Sequence, residues 1–152
     1  METVKRVGLD TNIFMAVFLD EKERADPSLR ILSLISDGAL EGVICSVLLI
    51  EIATLFYQEK EKQKGINAVE LIRGIPNITI VDITSDMVLS IADTKVAEKL
   101  SIADATILSS TLELGADVFL TYGSDFAKVK KIRCMKPEDY LKSLSDQIAE
   151  NA

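Results

Sequence analysis

Apolar residues come along this chain in short blocks, separated by stretches of mixed polarity long enough to be helices. Val4 to Leu9 is a short segment with β-branched residues leading straight into Asp10, and it reads as a buried strand that ends on a carboxylate. Residues 11–24 read as a loop or short helix. Asp26-Pro27 has the form of an N-cap followed by Pro at the first helical position, with Leu29, Leu32 and Ile35 at helical spacing and Gly38 as the closing residue. Val43 to Cys45 is a second strand. Ser46 is placed to cap a helix carrying Leu48, Leu49, Ile52, Leu55 and Phe56, which runs into the charged stretch 58–64. Residues 66–73 read as helical until Gly74-Ile75-Pro76 breaks the pattern.

Ile78, Ile80 and Ile83 mark a third strand region, and Thr84 can cap a helix to about Leu100. Another helix starts near Ser101 and ends at Gly115. Val118 to Leu120 is a strand, residues 128–134 are a loop leading to a weak one, and Pro137 opens a last helix with a polar, fraying end. Helices separating short apolar strands predict an α/β sandwich with a mostly parallel sheet. Without repeats or linkers, residues 1–145 read as one domain and 146–152 as a polar tail.

Composition narrows the chemistry. The 152 residues are 48% hydrophobic but only 5% aromatic, so the core must be aliphatic. There is no histidine, which removes Ser-His-Asp triads, histidine zinc ligands and imidazole acid–base catalysis. Cys45 and Cys134 stand far apart among apolar residues and read as buried thiols. No apolar run reaches the ~20 residues of a membrane span. The N-terminus meets acids too early for a signal peptide, so a cytoplasmic protein is expected. The net charge of −7 opposes simple electrostatic capture of a polyanion, unless bound cations reverse the local sign.

Four carboxylates stand out. Asp10 follows the first strand and Asp125 follows the Val118–Leu120 strand, both where open α/β sheets form their sites. Either could equally be a capping or loop acid. Glu51 lies in Val47-Leu48-Leu49-Ile50-Glu51-Ile52-Ala53, apolar on nearly every side. Buried there it needs a cation, a hydrogen-bonded partner or a proton; at the edge of the face it would reach solvent. Asp104 sits in an apolar stretch, in what would be a helix's first turn, where the helix dipole alone would also favour it. Carboxylates gathered at one edge repel by about 3 kcal/mol per pair at ~5 Å and an effective dielectric near 20. Bound cations relieve that repulsion, and an all-oxygen set selects Mg²⁺ or Mn²⁺.

The stretches Gly8-Leu9-Asp10-Thr11-Asn12-Ile13-Phe14, Ser46 to Ala53, Ile102 to Leu114 and Leu120-Thr121 through Asp125-Phe126 together resemble a PIN domain of the VapC toxin kind, with Lys136 to Tyr140 resembling the family's closing helix. The resemblance implies a three-layer α/β/α domain that cleaves RNA with a divalent metal. It implies ligation by Asp10, Glu51, Asp104 and a fourth acid, organisation by Asn12 and Thr121, an antitoxin partner and a homodimer. The family often places an acid two residues after the threonine, where this chain has Gly123, so Asp125 is the candidate replacement. Lys128, Lys130, Lys131 and Arg133 follow without an intervening acid and could hold RNA phosphates. Two rivals of the strand–Asp opening fail on residues. A haloacid-dehalogenase-like phosphatase wants a second Asp where Asn12 stands, and a receiver domain wants an acidic pair after its first strand. A catalytically weak PIN scaffold that binds RNA or protein is the remaining alternative.

Overall fold

A computed structural model describes residues 3–152 of the chain. Five strands form one all-parallel sheet: β1 (Lys5–Leu9), β2 (Leu40–Cys45), β3 (Ile78–Val81), β4 (Val118–Leu120) and β5 (Arg133–Met135), in the order β3-β2-β1-β4-β5. Between and after them run α1 (Thr11–Phe18), α2 (Lys22–Ser36), α3 (Ser46–Gln58), α4 (Lys62–Arg73), α5 (Val88–Glu98), α6 (Ile102–Glu113) and α7 (Pro137–Asn151). The chain winds outward from β1 to β3, then returns across the sheet through α5 and α6 to β4. The direction of winding therefore reverses between β1 and β4, which is where such sheets open a crevice beyond their carboxyl ends.

The pairing register sorts the core into layers. Val7 stands beside Gly42 and Val118, while Gly8 stands beside Val43 and Phe119. Successive residues face opposite sides, so Val7 and Gly42 meet α2, whose Ile35 side chain lies 3.1 Å from where a Gly42 Cβ would stand. Gly8 meets α6 on the other side. There a Cβ would fall 2.3 Å from Cγ2 of Thr111, so α6 approaches β1 closely because residue 8 has no side chain. The result is three layers, with α1, α2 and α7 packed together on one side and α5 and α6 on the other. The α3 helix touches α1, β2 and α6 and so closes the carboxyl edge.

Strand and helix order follow the sequence expectation, with four local differences. First, α2 begins at Lys22, five residues before Pro27, and neither Asp26 nor any other side chain caps it. Ser28, Ile31, Leu32 and Ile35 bury the face that carries the helix, and this packing outweighs the N–H that Pro27 lacks. Second, Cys45 rather than Ser46 is the N-cap of α3. Third, Thr84 precedes a 3₁₀ turn, Ser85–Met87, before α5 begins. Fourth, the charged stretch 58–64 breaks at Lys60, whose φ of 58° ends α3, and α4 then starts at Lys62. Gly38 does close α2, with φ 88° and its N–H on the Ile35 carbonyl. The last helix continues, exposed, through residues expected to fray. No helix among the described residues is long and apolar enough to cross a membrane.

The close approach at Gly8 yields a stability test. Gly8→Ala should destabilise the protein by about 1–3 kcal/mol through overpacking against α6. Adding Thr111→Ala should restore part of the loss. Urea unfolding of the two variants reads this directly, and a Gly8→Ala protein as stable as wild type would show that the two layers are free to part.

Candidate active site

The last residue of β1, Leu9, is fully buried, and the chain turns into α1 at Asp10. This puts a carboxylate, 5% exposed, at the crevice between β1 and β4. Three donors hold it. The backbone N–H of Thr11 donates to Oδ1 at 2.8 Å, and the Thr121 hydroxyl donates to Oδ2 at 2.7 Å. The Asn12 amide also donates to Oδ2, at 3.2 Å. Thr121 in turn accepts from the Gly123 N–H at 2.8 Å, and the Asn12 side-chain oxygen accepts from the Tyr122 N–H at 3.2 Å. Asn12 and Thr121 thus stitch the end of β1 to the end of β4 through Asp10.

Glu51 arrives from α3. Its carboxylate accepts the Thr11 hydroxyl at 2.6 Å and is half-buried, so the partner its apolar context demanded is Thr11. Asp104 arrives from the first turn of α6. Ser101 caps that helix by accepting the Asp104 N–H at 3.1 Å, which fixes the turn that presents the carboxylate. Asp125 stands exposed in the 3₁₀ turn Ser124–Phe126, anchored by Phe126, whose ring packs 4.9 Å from that of Phe119. Asp10, Glu51, Asp104 and Asp125 all line one open cleft of about 670 Å³. Leu19, Leu55 and Phe56 contribute apolar wall, and Glu21, Glu59 and Glu61 add further acids.

These acids act on one another. Burial raises the Asp10 pKa from 3.8 to about 6, against the lowering effect of Thr121 and Thr11, and the charges of Asp104 and Glu51 raise it further. Burial likewise raises Asp104, opposed by Ser101 and helped by the charge of Asp125. Among the described residues, no three acids stand close enough to hold one ion between them. At position 123 an added Cβ would come within 3.7 Å of Asp10 Oδ2, so an acid there would stand beside Asp10.

A family model for the PIN domain matches residues 7–132, most of the chain. The chain belongs to the PIN domain family. No curated protein matches it significantly by sequence. Its PIN fold is similar to that of VapBC2 from Rickettsia felis, solved bound to a DNA fragment from its promoter, with TM-score 0.68 and 15% identity over 86% of this chain and 98% of that one. DNA-bound VapBC from Salmonella typhimurium gives TM-score 0.68 and 17% identity, covering 88% and 98%. VapC20 from Mycobacterium tuberculosis, a sarcin-ricin loop cleaving toxin, gives 0.64 and 18%, covering 80% and 92%. At these identities the likeness concerns the fold.

The basic residues singled out by sequence do not gather at the PIN cleft. Lys128 donates to the Lys99 carbonyl at 2.7 Å, and Lys131 pairs with Asp93 at 3.2 Å, so both heads lie on α5 or just beyond it. Arg133 opens β5 and lines a separate pocket at the amino edge of the sheet, beside Lys5, Arg6 and Tyr140. Lys130 is exposed on the loop. Sequence reading also passed over Thr11 as a partner of Glu51, the acidic rim, and Glu98, which is 6% exposed. Thr11 had a signal, a hydroxyl between two singled-out residues. Glu98 had none, since its surroundings come from a segment more than thirty positions away.

The Asp10 shift sets a pH dependence. The unfolded chain ionises this acid first, so stability falls as pH rises through the window from 3.8 to about 6. A shift of that size corresponds to at most about 3 kcal/mol, and the acceptor lost in Asp10→Asn offsets part of it. Without divalent metal, the Asp10→Asn protein should overtake wild type above about pH 6, by roughly 1–2 kcal/mol. At about pH 4 the advantage should vanish. Urea midpoints measured across this range check it, and an identical pH profile for both proteins would show that Asp10 carries no such load.

Proposed function

We propose that this protein is an endoribonuclease that hydrolyses RNA phosphodiester bonds with Mg²⁺ or Mn²⁺, and that it is the toxin of a toxin–antitoxin pair. The observation that carries the reading is the meeting of Asp10, Glu51, Asp104 and Asp125 on one cleft, with Asp10 and Asp104 both displaced toward the neutral form by burial and by neighbouring negative charge. The donor set fits a hard divalent cation: every group is a carboxylate oxygen, and cation charge would reverse the repulsion that lifts the two pKa values. Such an ion, when bound, supplies Lewis acidity to a scissile phosphate and to water.

The chain's own residues do the rest. Thr11, Asn12 and Thr121 hold Asp10 in one orientation, so the charge-bearing oxygens need no rearrangement when substrate arrives. Thr11 also holds Glu51 across the cleft. With no histidine in the chain, no imidazole is present to take the proton of a 2′-hydroxyl. Water is then the nucleophile: its oxygen bonds to phosphorus, the bond to the 3′ oxygen breaks, and the products end in 5′-phosphate and 3′-hydroxyl. RNA as substrate is supported by the cleaving activity named for VapC20, and an antitoxin partner by the VapBC complexes. A homodimer, in the cytoplasm, completes the proposal. Of the four basic residues, Lys130 and Arg133 are exposed and make no side-chain hydrogen bond or ion pair among the described residues, and these two are left to meet RNA.

Gly123 favours a second reading, a PIN scaffold that binds RNA or protein with little chemistry, because it removes an acid from beside Asp10. Cleavage separates the two. Mn²⁺- or Mg²⁺-dependent cutting of RNA, lost in EDTA and reduced at least about a hundredfold by Asp10→Asn and by Asp104→Asn, is expected. A loss of similar size in Asp125→Asn identifies Asp125 as the fourth ligand. Cutting that persists in EDTA, or cyclic phosphate products, refutes the mechanism. Metal binding without cleavage of any RNA selects the scaffold.

A further inference from the structure

Outside the cleft, one buried charge stands apart. Glu98, in the last turn of α5, has no Lys or Arg ion pair among the described residues. Its two oxygens instead accept consecutive backbone N–H groups: Oε2 takes that of Lys130 at 3.2 Å and Oε1 that of Lys131 at 3.3 Å. A carboxylate in this position satisfies two amides of a loop that would otherwise be unpaired, and the amides in turn make its burial tolerable. The grip is reinforced on either side. Lys131 reaches Asp93 and the buried Thr94, and Lys128 reaches the Lys99 carbonyl. The charge is also felt by the sheet, where burial and then Glu98 raise the Cys134 thiol to about 11.

What Glu98 joins matters more than the bonds themselves. On its own side the chain leaves α5 through Lys99, left-handed at φ 54°, and reaches Asp104 five residues later, through the Ser101 cap. On the other side the loop it holds begins just after the 3₁₀ turn that carries Asp125, with the Val129 N–H on the Phe126 carbonyl at 3.1 Å. Asp104 and Asp125 come from segments with no strand pairing between them, and Asp125 is exposed on its turn. The Glu98 clamp is the buried polar link between those segments. We propose that Glu98 is a positioning residue that fixes the separation of Asp104 and Asp125 across the cleft, and thereby the cleft's affinity for a divalent cation. This rests on the metal-dependent reading above. It gives Lys128 and Lys131 a different task from holding RNA: their heads fasten the same loop.

The test uses the full-length chain with Mn²⁺ alone, followed by calorimetry, and hydrogen exchange at the Lys130 and Lys131 amides. Glu98→Ala should deprotect both amides and weaken Mn²⁺ binding about tenfold, the lower end of what loss of a supporting partner costs. Glu98→Gln, which keeps the size and one acceptor, should do so severalfold, and it carries the test if the alanine variant fails to fold. In an Asp125→Asn background Glu98→Gln should add little, because the acid it positions is gone, whereas general destabilisation would add in full. Deprotected amides with Mn²⁺ affinity unchanged, or full additivity with Asp125→Asn, would overturn the role and leave the metal reading standing. If wild type and Asp104→Asn bind Mn²⁺ equally poorly, the metal reading itself fails, and this role with it.

Discussion

Burying one carboxylate at the end of the central strand is the constraint on which the rest of this structure depends. Asp10 lies beyond a fully buried Leu9, at the point where the winding of the sheet reverses, with almost no access to water. Taking an ionised carboxylate out of water costs several kcal/mol unless donors replace the solvent. Here the donors are Thr11, Asn12 and Thr121, and they cover only part of the cost, since the pKa still stands at about 6. The ends of β1 and β4 are locked together by the same bonds that hold the acid.

The remaining acids follow from how helices reach that point. The α3 helix, wedged between α1 and α6, brings Glu51 to the Thr11 hydroxyl. Close packing of α6 on β1, possible because residue 8 is glycine, places the first turn of α6 and its Asp104 over the same crevice. Each acid therefore stands on a regular element or on a turn anchored in the core. The electrostatic cost is borne by packing elsewhere, in a core built mostly from Leu, Ile and Val.

The acidic balance of the chain reads differently in this light. Its −7 net charge is concentrated where it counts, with Glu21, Glu59 and Glu61 on the rim of a cleft already lined by four acids. A polyanion would be repelled from such a surface unless cations occupied it first. The basic loop beyond Asp125 does not offset that field at the cleft, because two of its lysines are turned onto α5 or just past it, and its arginine lies at the other edge of the sheet.

How much of this was legible along the chain depends on the range of the interactions involved. Element order, the parallel sheet and the four acids in apolar or strand-end contexts were visible, because local periodicity and the cost of burying charge act within a few neighbouring residues. The helix start near Ser101 and the Gly38 stop were visible for the same reason. The start of α2 was not, since a Pro inside a helix is tolerated only through packing that no local window contains. Nor was the fate of Lys128, Lys131 and Arg133. Sequence placed four cations side by side, but a loop stapled by Glu98 that returns to the amino edge of the sheet sent them to different places. Sequence by itself determined which residues carry charge and which segments form strands and helices, because both are local properties. Which charges face one another was decided only by tertiary structure, because that depends on register and packing between segments as much as 111 residues apart.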